Sequence, residues 1–186
     1  MPRIVAIGSH HRSQIAMYAR RRAALHAVEG VQSALAVAVQ ERRETLGLSG
    51  EFAVATAIGQ QFEFVEFEGD GGDGGVDLWN LGVSIDVKTE GARRPGAPFR
   101  AYPARYRAKV IVFVRQVTEG RYAEFQILGW LFAAEVHRMA SGKEHVDICL
   151  CHPRPLESLP PDGYYDPPDP DIEQRCAECG RERKAG

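Results

Sequence analysis

The chain has 186 residues, 44% hydrophobic and 26% charged, the balance of an ordinary globular domain, which excludes disorder or a fibrous repeat for most of its length. At this length folding buries roughly 70% of the unfolded surface, so neither a metal nor a disulfide is required to hold a core together. The formal net charge of −2 is a cancellation: residues 1–50 carry +4, 51–92 carry −8, 93–121 carry +7 and 122–186 carry −5, which sets an acidic block between basic ones.

Met1 to Gln14 holds no apolar stretch of secretory type, and the longest apolar run, Ile127 to Ala134, is far short of the roughly 20 residues a membrane helix needs. A soluble, cytoplasmic protein with no membrane partner is expected. Arg3 to Ile7 reads as a short strand. Ser9 to Glu29 reads as a helix capped by Ser9, with Ile15, Tyr18, Leu25 and Val28 at roughly helical spacing, and Gly30 stops it. A second helix is expected over Val31 to about Leu46. Gly47 and Gly59 then bracket a separate small-residue helix, Glu51 to Ile58, with Ser49 just before it.

Phe62 to Glu68 alternates apolar and acidic residues and predicts a strand, followed by a glycine-rich loop from Gly69 to Gly75. Val76–Leu81 and Val83–Lys88 predict a hairpin turning at Asn80 to Gly82. Gly91 to Pro103, with three prolines and three arginines, reads as an exposed basic loop, and Ala101 to Ala108 as including a short helix. Lys109 to Arg115 (KVIVFVR) has the composition of a buried strand, with Arg121 to Leu128 as its partner. A short helix over Phe132 to Met139, a strand over Val146 to Leu150 and an extended tail with seven prolines from Pro153 to Pro170 complete the chain. The expected class is α/β (α+β), a central mixed sheet flanked by helices. Its expected organisation is an N-terminal helical extension (1–46), a core domain (47–150) and a proline-rich, cysteine-containing tail (151–186).

The chemistry concentrates in the hairpin. Asp86 and Lys88 are two apart on one strand, so they leave one face while Ile85 and Val87 leave the other. Asp77 on the preceding arm is expected near Asp86, and Glu51 supplies a third carboxylate. Hard divalent cations take carboxylate and carbonyl oxygens plus water and phosphate, which Asp77, Asp86 and the main-chain carbonyl of Val87 supply. A cation there lowers the pKa of a bound water and offsets charge on the leaving oxygen, with Lys88 positioning that water. The reaction expected is metal-assisted phosphodiester hydrolysis, with Mg²⁺ as the metal and Mn²⁺ as its substitute.

Gly50-Glu51 in a small-residue helix, Gly75-Val76-Asp77-Leu78 and Ile85-Asp86-Val87-Lys88-Thr89 together resemble the PD-(D/E)xK nuclease superfamily, the restriction-endonuclease-like fold. The resemblance spans about Leu46 to Met139 and extends more loosely to Val110–Val114 and Ile127–Trp130. It implies a restriction-endonuclease-like core in which Asp77, Asp86 and Lys88 are catalytic and Glu51 assists. Val76 stands where the motif's proline would be, and Asp86 where glutamate is more frequent; neither change removes a ligand. Exonucleases of the family carry a Q-x-x-x-Y helix, which neither Gln116 nor Gln126 begins, so an endonuclease acting on DNA is expected. Many members cut duplexes as dimers, which makes a homodimer an implied partner.

The +7 block follows the acidic strand directly, and Arg93, Arg94, Arg100, Arg105, Arg107 and Lys109 are candidates to neutralise phosphates without reading sequence. Tyr102 and Tyr106 suit stacking on bases or local packing. All four cysteines lie in the last 38 positions. Cys176-x-x-Cys179 is half of a zinc knuckle and Cys149-x-Cys151-His152 a candidate other half, against a reading as free thiols. Two alternatives to the nuclease stay open: a catalytically inactive nucleic-acid-binding module of the same fold, and a zinc-stabilised interaction protein.

Overall fold

The computed structural model describes residues 3–28, 34–64, 76–94, 96–103 and 106–159. The element order is β1 (Arg3–Ala6), α1 (Ser9–Val28), α2 (Ala34–Ala57), β2 (Leu78–Asn80), β3 (Val83–Glu90), β4 (Phe99–Ala101), β5 (Val110–Gln116), β6 (Glu124–Phe132), α3 (Ala133–Ala140) and β7 (Val146–Ile148). It is a mixed α+β fold. Five strands form one sheet in the order β1-β6-β5-β3-β2, and β4 pairs with β7 in a second, two-stranded sheet. Within the larger sheet β3 and β5 run parallel and every other neighbouring pair is antiparallel.

The central strand explains the layering. Every residue of β5 is buried, and its alternating side chains serve two cores. Val110, Val112 and Val114 join Ile85, Val87, Val54 and Ile15 beneath α1 and α2. Ile111 and Phe113 face the other way, into a cluster with Phe99, Ile148, Leu131 and Val136 that brings in α3 and the β4–β7 pair. The Lys109–Arg115 run thus behaves as its composition implies.

Several expectations are corrected. The second and third helices of the sequence reading are one continuous α2 that runs through Gly47 and Gly50, so the boundary placed after residue 46 falls inside a helix. Ser49 caps nothing: its hydroxyl donates to the Thr45 carbonyl at 2.7 Å, one turn back. Gly50 stays in the helix because α2 presses on β3 there. A Cβ at Gly50 would overlap the Thr89 hydroxyl and come within 2.9 Å of Thr89 Cβ, which outweighs a glycine cost of about 1 kcal/mol in a helix. β1 belongs to the central sheet, paired with β6, so residues 1–46 are more than a helical extension. Among the described side chains of α1 the buried ones are Ile15, Ala19 and Ala23, whereas Leu25 is 56% exposed.

Phe62 to Phe64 are not in a strand; the Phe64 ring stacks on Tyr18 with centroids 4.4 Å apart. The remainder of that expected strand and the loop Gly69–Gly75 lie outside the described residues. The basic loop contains β4; the short helix expected within 101–108 falls partly outside the described residues, where Pro103 carries 3₁₀ geometry and its carbonyl accepts the Tyr106 N–H at 3.0 Å. The tail does not leave the body at residue 151. Arg154 and Trp130 exchange two backbone hydrogen bonds of 2.9 Å, and Leu156 is buried.

Gly50→Ala should lower stability by roughly 1–3 kcal/mol, the usual cost of overpacking, read as a shift of the denaturant midpoint at unchanged slope.

Candidate active site

The hairpin that carries the charged residues is tightly specified. Leu81 and Gly82 form a two-residue turn with φ of 47° and 82°, the left-handed pair that matches strand twist. The register it sets pairs Leu78 with Ile85, and one further step puts Asp77 across from Asp86. The Asp77 N–H donates to the Ile85 carbonyl at 2.9 Å. Beyond this point the ladder ends, and the Val87 N–H is taken by Asp77 Oδ2 at 2.6 Å. Strand pairing and a side-chain bond together fix Asp77 against the strand that bears Asp86 and Lys88.

Of the β3 side chains, Val83, Ile85 and Val87 enter the α1/α2 core. Asp86 leaves the opposite face with no exposed surface, and Lys88 Nζ forms an ion pair with Asp86 Oδ1. The ammonium also lies 5.5 Å from the centre of the Tyr106 ring. Tyr106 is buried and its hydroxyl accepts the Tyr102 N–H at 3.0 Å, so it is a wall beside Lys88 and not a surface for stacking bases. Burial pushes its phenol pKa upward.

Glu51 comes from α2, one residue after the Gly50 contact with Thr89. Together with Asp77 it lines a cleft of about 300 Å³, bounded also by Tyr18, Arg22, Phe62 and Trp79. Asp86 does not line this cleft. The Asp77 carboxyl is pushed up to about 9 by burial first, then by the negative charges of Glu51 and Asp86, against opposing help from the Val87 N–H and Lys88. Glu51 and Asp86 therefore both act on Asp77. Val87, however, turns its N–H and not its carbonyl toward Asp77.

Part of the basic block is engaged within the protein. Glu90 accepts Arg115 Nε at 2.6 Å and lies 3.2 Å from Arg93 Nε; Arg100 pairs with Asp147 at 3.1 Å across the β4–β7 sheet. Arg94, Arg107 and Lys109 are exposed, and Arg105 lies outside the described residues. Arg22, Tyr18 and Trp79 reach the cleft without having been singled out by sequence; Trp79 shows 62% exposure on an edge strand, and no local pattern marks it.

A second group stands apart. Cys149 Sγ, Cys151 Sγ and a His152 ring nitrogen all lie within 4.8 Å of one another and can hold a metal ion. Among the described residues this is the group of three or more histidine, cysteine and acidic ligands that comes so close; Glu51, Asp77 and Asp86 do not form one. Cys176 and Cys179 lie outside the described residues. No described helix is long and apolar enough to cross a membrane. Comparison of the chain with protein-family models, curated proteins and solved structures found no match.

The folded metal-free protein holds the Asp77 proton up to about 9, whereas an unfolded chain releases it near 3.9. Between those values the folded state binds more protons, so stability falls as pH rises. The metal-free protein should therefore melt lower at pH 8 than at pH 5.5, by several degrees at roughly 2–4 °C per kcal/mol, and Asp77→Asn should flatten that fall in a thermal scan.

Proposed function

We propose that the chain is a metal-dependent nuclease that hydrolyses phosphodiester bonds in DNA, an endonuclease of the PD-(D/E)xK type with a restriction-endonuclease-like core. The observation that carries this reading is the Asp77 carboxyl held on the Val87 N–H within reach of the Glu51 and Asp86 charges, with Lys88 paired to Asp86. The donor set is all oxygen, and its crowding disfavours negative charge at Asp77, the condition a divalent cation relieves. The cation of this proposal is Mg²⁺, with Mn²⁺ as a substitute, at Asp77 and Asp86 with Glu51 assisting; the three carboxylates have to draw closer than they stand here to share it. When bound, such an ion supplies an acidified water and a Lewis acid for the leaving oxygen.

The chain's own residues do the rest. Asp77 gives up a proton on becoming a ligand, so cation affinity rises with pH toward 9. Asp86 fixes the Lys88 ammonium, which orients the attacking water and stabilises negative charge developing on the phosphoryl oxygens. Tyr106 restricts where that ammonium can go. Exposed Arg94, Arg107 and Lys109 supply contacts to flanking phosphates. Of the six expected phosphate ligands, Arg93 and Arg100 are discounted by their carboxylate partners. The sulfur and imidazole donors of Cys149, Cys151 and His152 suit zinc and not Mg²⁺, so they are not part of the proposed Mg²⁺ site.

Nicking of supercoiled plasmid should require Mg²⁺ and fall by at least about 100-fold, the scale of a lost electrostatic or acid–base contribution, in Asp86→Asn and Lys88→Ala. Equal cleavage by all three proteins would remove the site assignment. Tight DNA binding by the wild type without cleavage would favour a binding module.

A further inference from the structure

The turn after β7 carries three metal-ligating side chains on chain that is held from both sides. Cys149 directly follows β7 and is buried, Cys151 is exposed, and His152 is half-buried. The His152 N–H donates to the Cys149 carbonyl at 3.1 Å, and this turn gathers both sulfurs and a His152 ring nitrogen within 4.8 Å of one another. Upstream, β7 pairs with β4. Downstream, Pro153 restricts the backbone of His152, Arg154 and Trp130 exchange two backbone hydrogen bonds of 2.9 Å, and the Arg154 guanidinium grips both oxygens of buried Glu135 at 2.6 and 2.7 Å. Gly129, with φ of +125°, makes room for this segment; a Cβ there would come within 2.9 Å of Pro153 Cβ. The fold therefore orders the three donors before any ion arrives, which favours binding.

We propose that Cys149, Cys151 and His152 form a zinc site of three protein ligands at the protein surface, with the fourth position of the ion taken by water or another small ligand from solvent. The site is separate from the carboxylate cleft and does not rest on the nuclease reading. Thiolate and imidazole donors suit zinc where carboxylate and carbonyl oxygens suit Mg²⁺ or Ca²⁺, and two thiolates cancel the charge of a divalent ion. Tetrahedral zinc takes sulfur at about 2.3 Å and imidazole nitrogen at about 2.0–2.1 Å, which sets neighbouring ligand atoms roughly 3.5–3.8 Å apart. The two sulfurs lie 2.6 Å apart and open by about 1 Å to meet that geometry, a movement that side-chain rotation at exposed Cys151 supplies. Because Cys151 is exposed and His152 half-buried, the remaining side of the ion faces solvent. Three protein ligands and one from solvent is the arrangement of zinc sites that keep an open position, in contrast to the four protein ligands of closed structural sites.

The test uses the full chain purified under reducing conditions, loaded with zinc and dialysed. Metal analysis should find about one zinc per chain. Co²⁺ in its place should show tetrahedral ligand-field bands with thiolate charge transfer, and azide should shift those bands saturably. Cys151→Ser and His152→Ala should each weaken zinc binding, measured against a chromophoric chelator, by at least about tenfold, a loss that even an outer-shell change causes. Cys176→Ser/Cys179→Ser should leave affinity and bands unchanged. In the wild type, zinc should slow iodoacetamide modification of Cys151, mapped by peptide mass analysis, a readout that needs no variant to fold. Zinc absent from the loaded wild type, affinity unmoved by Cys151→Ser or by His152→Ala, or Cys151 modified equally fast with and without zinc overturns the site. Bands indifferent to azide, or altered in the Cys176→Ser/Cys179→Ser variant, overturn the open position.

Discussion

Taking a carboxylate out of water costs several kcal/mol unless a partner charge goes with it. β3 meets that condition at Asp86, which has no exposed surface, by placing Lys88 two residues along the same face with a third of its side chain still in solvent. The other arrangements at the cleft lean on this pair. Ile85 and Val87 can enter the core only because the strand's period of two sends the charges the opposite way. The end of the β2–β3 ladder leaves the Val87 N–H for Asp77, and Gly50 lets α2 approach closely enough to add Glu51. Sheet register, a side-chain hydrogen bond and one missing Cβ thus converge on a single acidic locus.

The charge blocks acquire a physical meaning at the same scale. The acidic block places Glu51 and Asp77 at the cleft and Asp86 on the strand beside it, and Glu51 and Asp86 both raise the pKa of Asp77. The basic block is not a uniform track. Arg115 and Arg93 converge on Glu90, so part of the positive charge stabilises the far end of β3. Arg100 ties the small β4–β7 sheet to Asp147. Arg94, Arg107, Lys109 and Arg121 are the exposed cations of the block that remain among the described residues.

The hairpin and the buried strand β5 are legible in the sequence because their signals are local: alternation, a turn glycine, and a β-branched run between cations. α2 is misread because Gly47 and Gly50 look like stops, and only the β3 surface against Gly50 explains why the helix continues. β4 has no local signature, since its partner lies 47 residues away at the Arg100–Asp147 pairing. On α1, alanines at 19 and 23 form the buried stripe while Leu25 faces out, a choice made by close packing on α2. The candidate acidic residues are readable by type and spacing. Their burial is not, because it depends on neighbours such as Ile111 and Tyr106 that belong to other elements.

The central claim is that Asp77, Asp86 and Glu51 form one cation site organised on the Val87 N–H. Paramagnetic Mn²⁺ titrated at substoichiometric levels into ¹⁵N-labelled protein tests it without reference to catalysis. The amides of Asp77, Asp86 and Val87 should broaden first, and Asp77→Asn should abolish the selectivity. Broadening that begins elsewhere, or that leaves the Val87 amide sharp, would contradict the account.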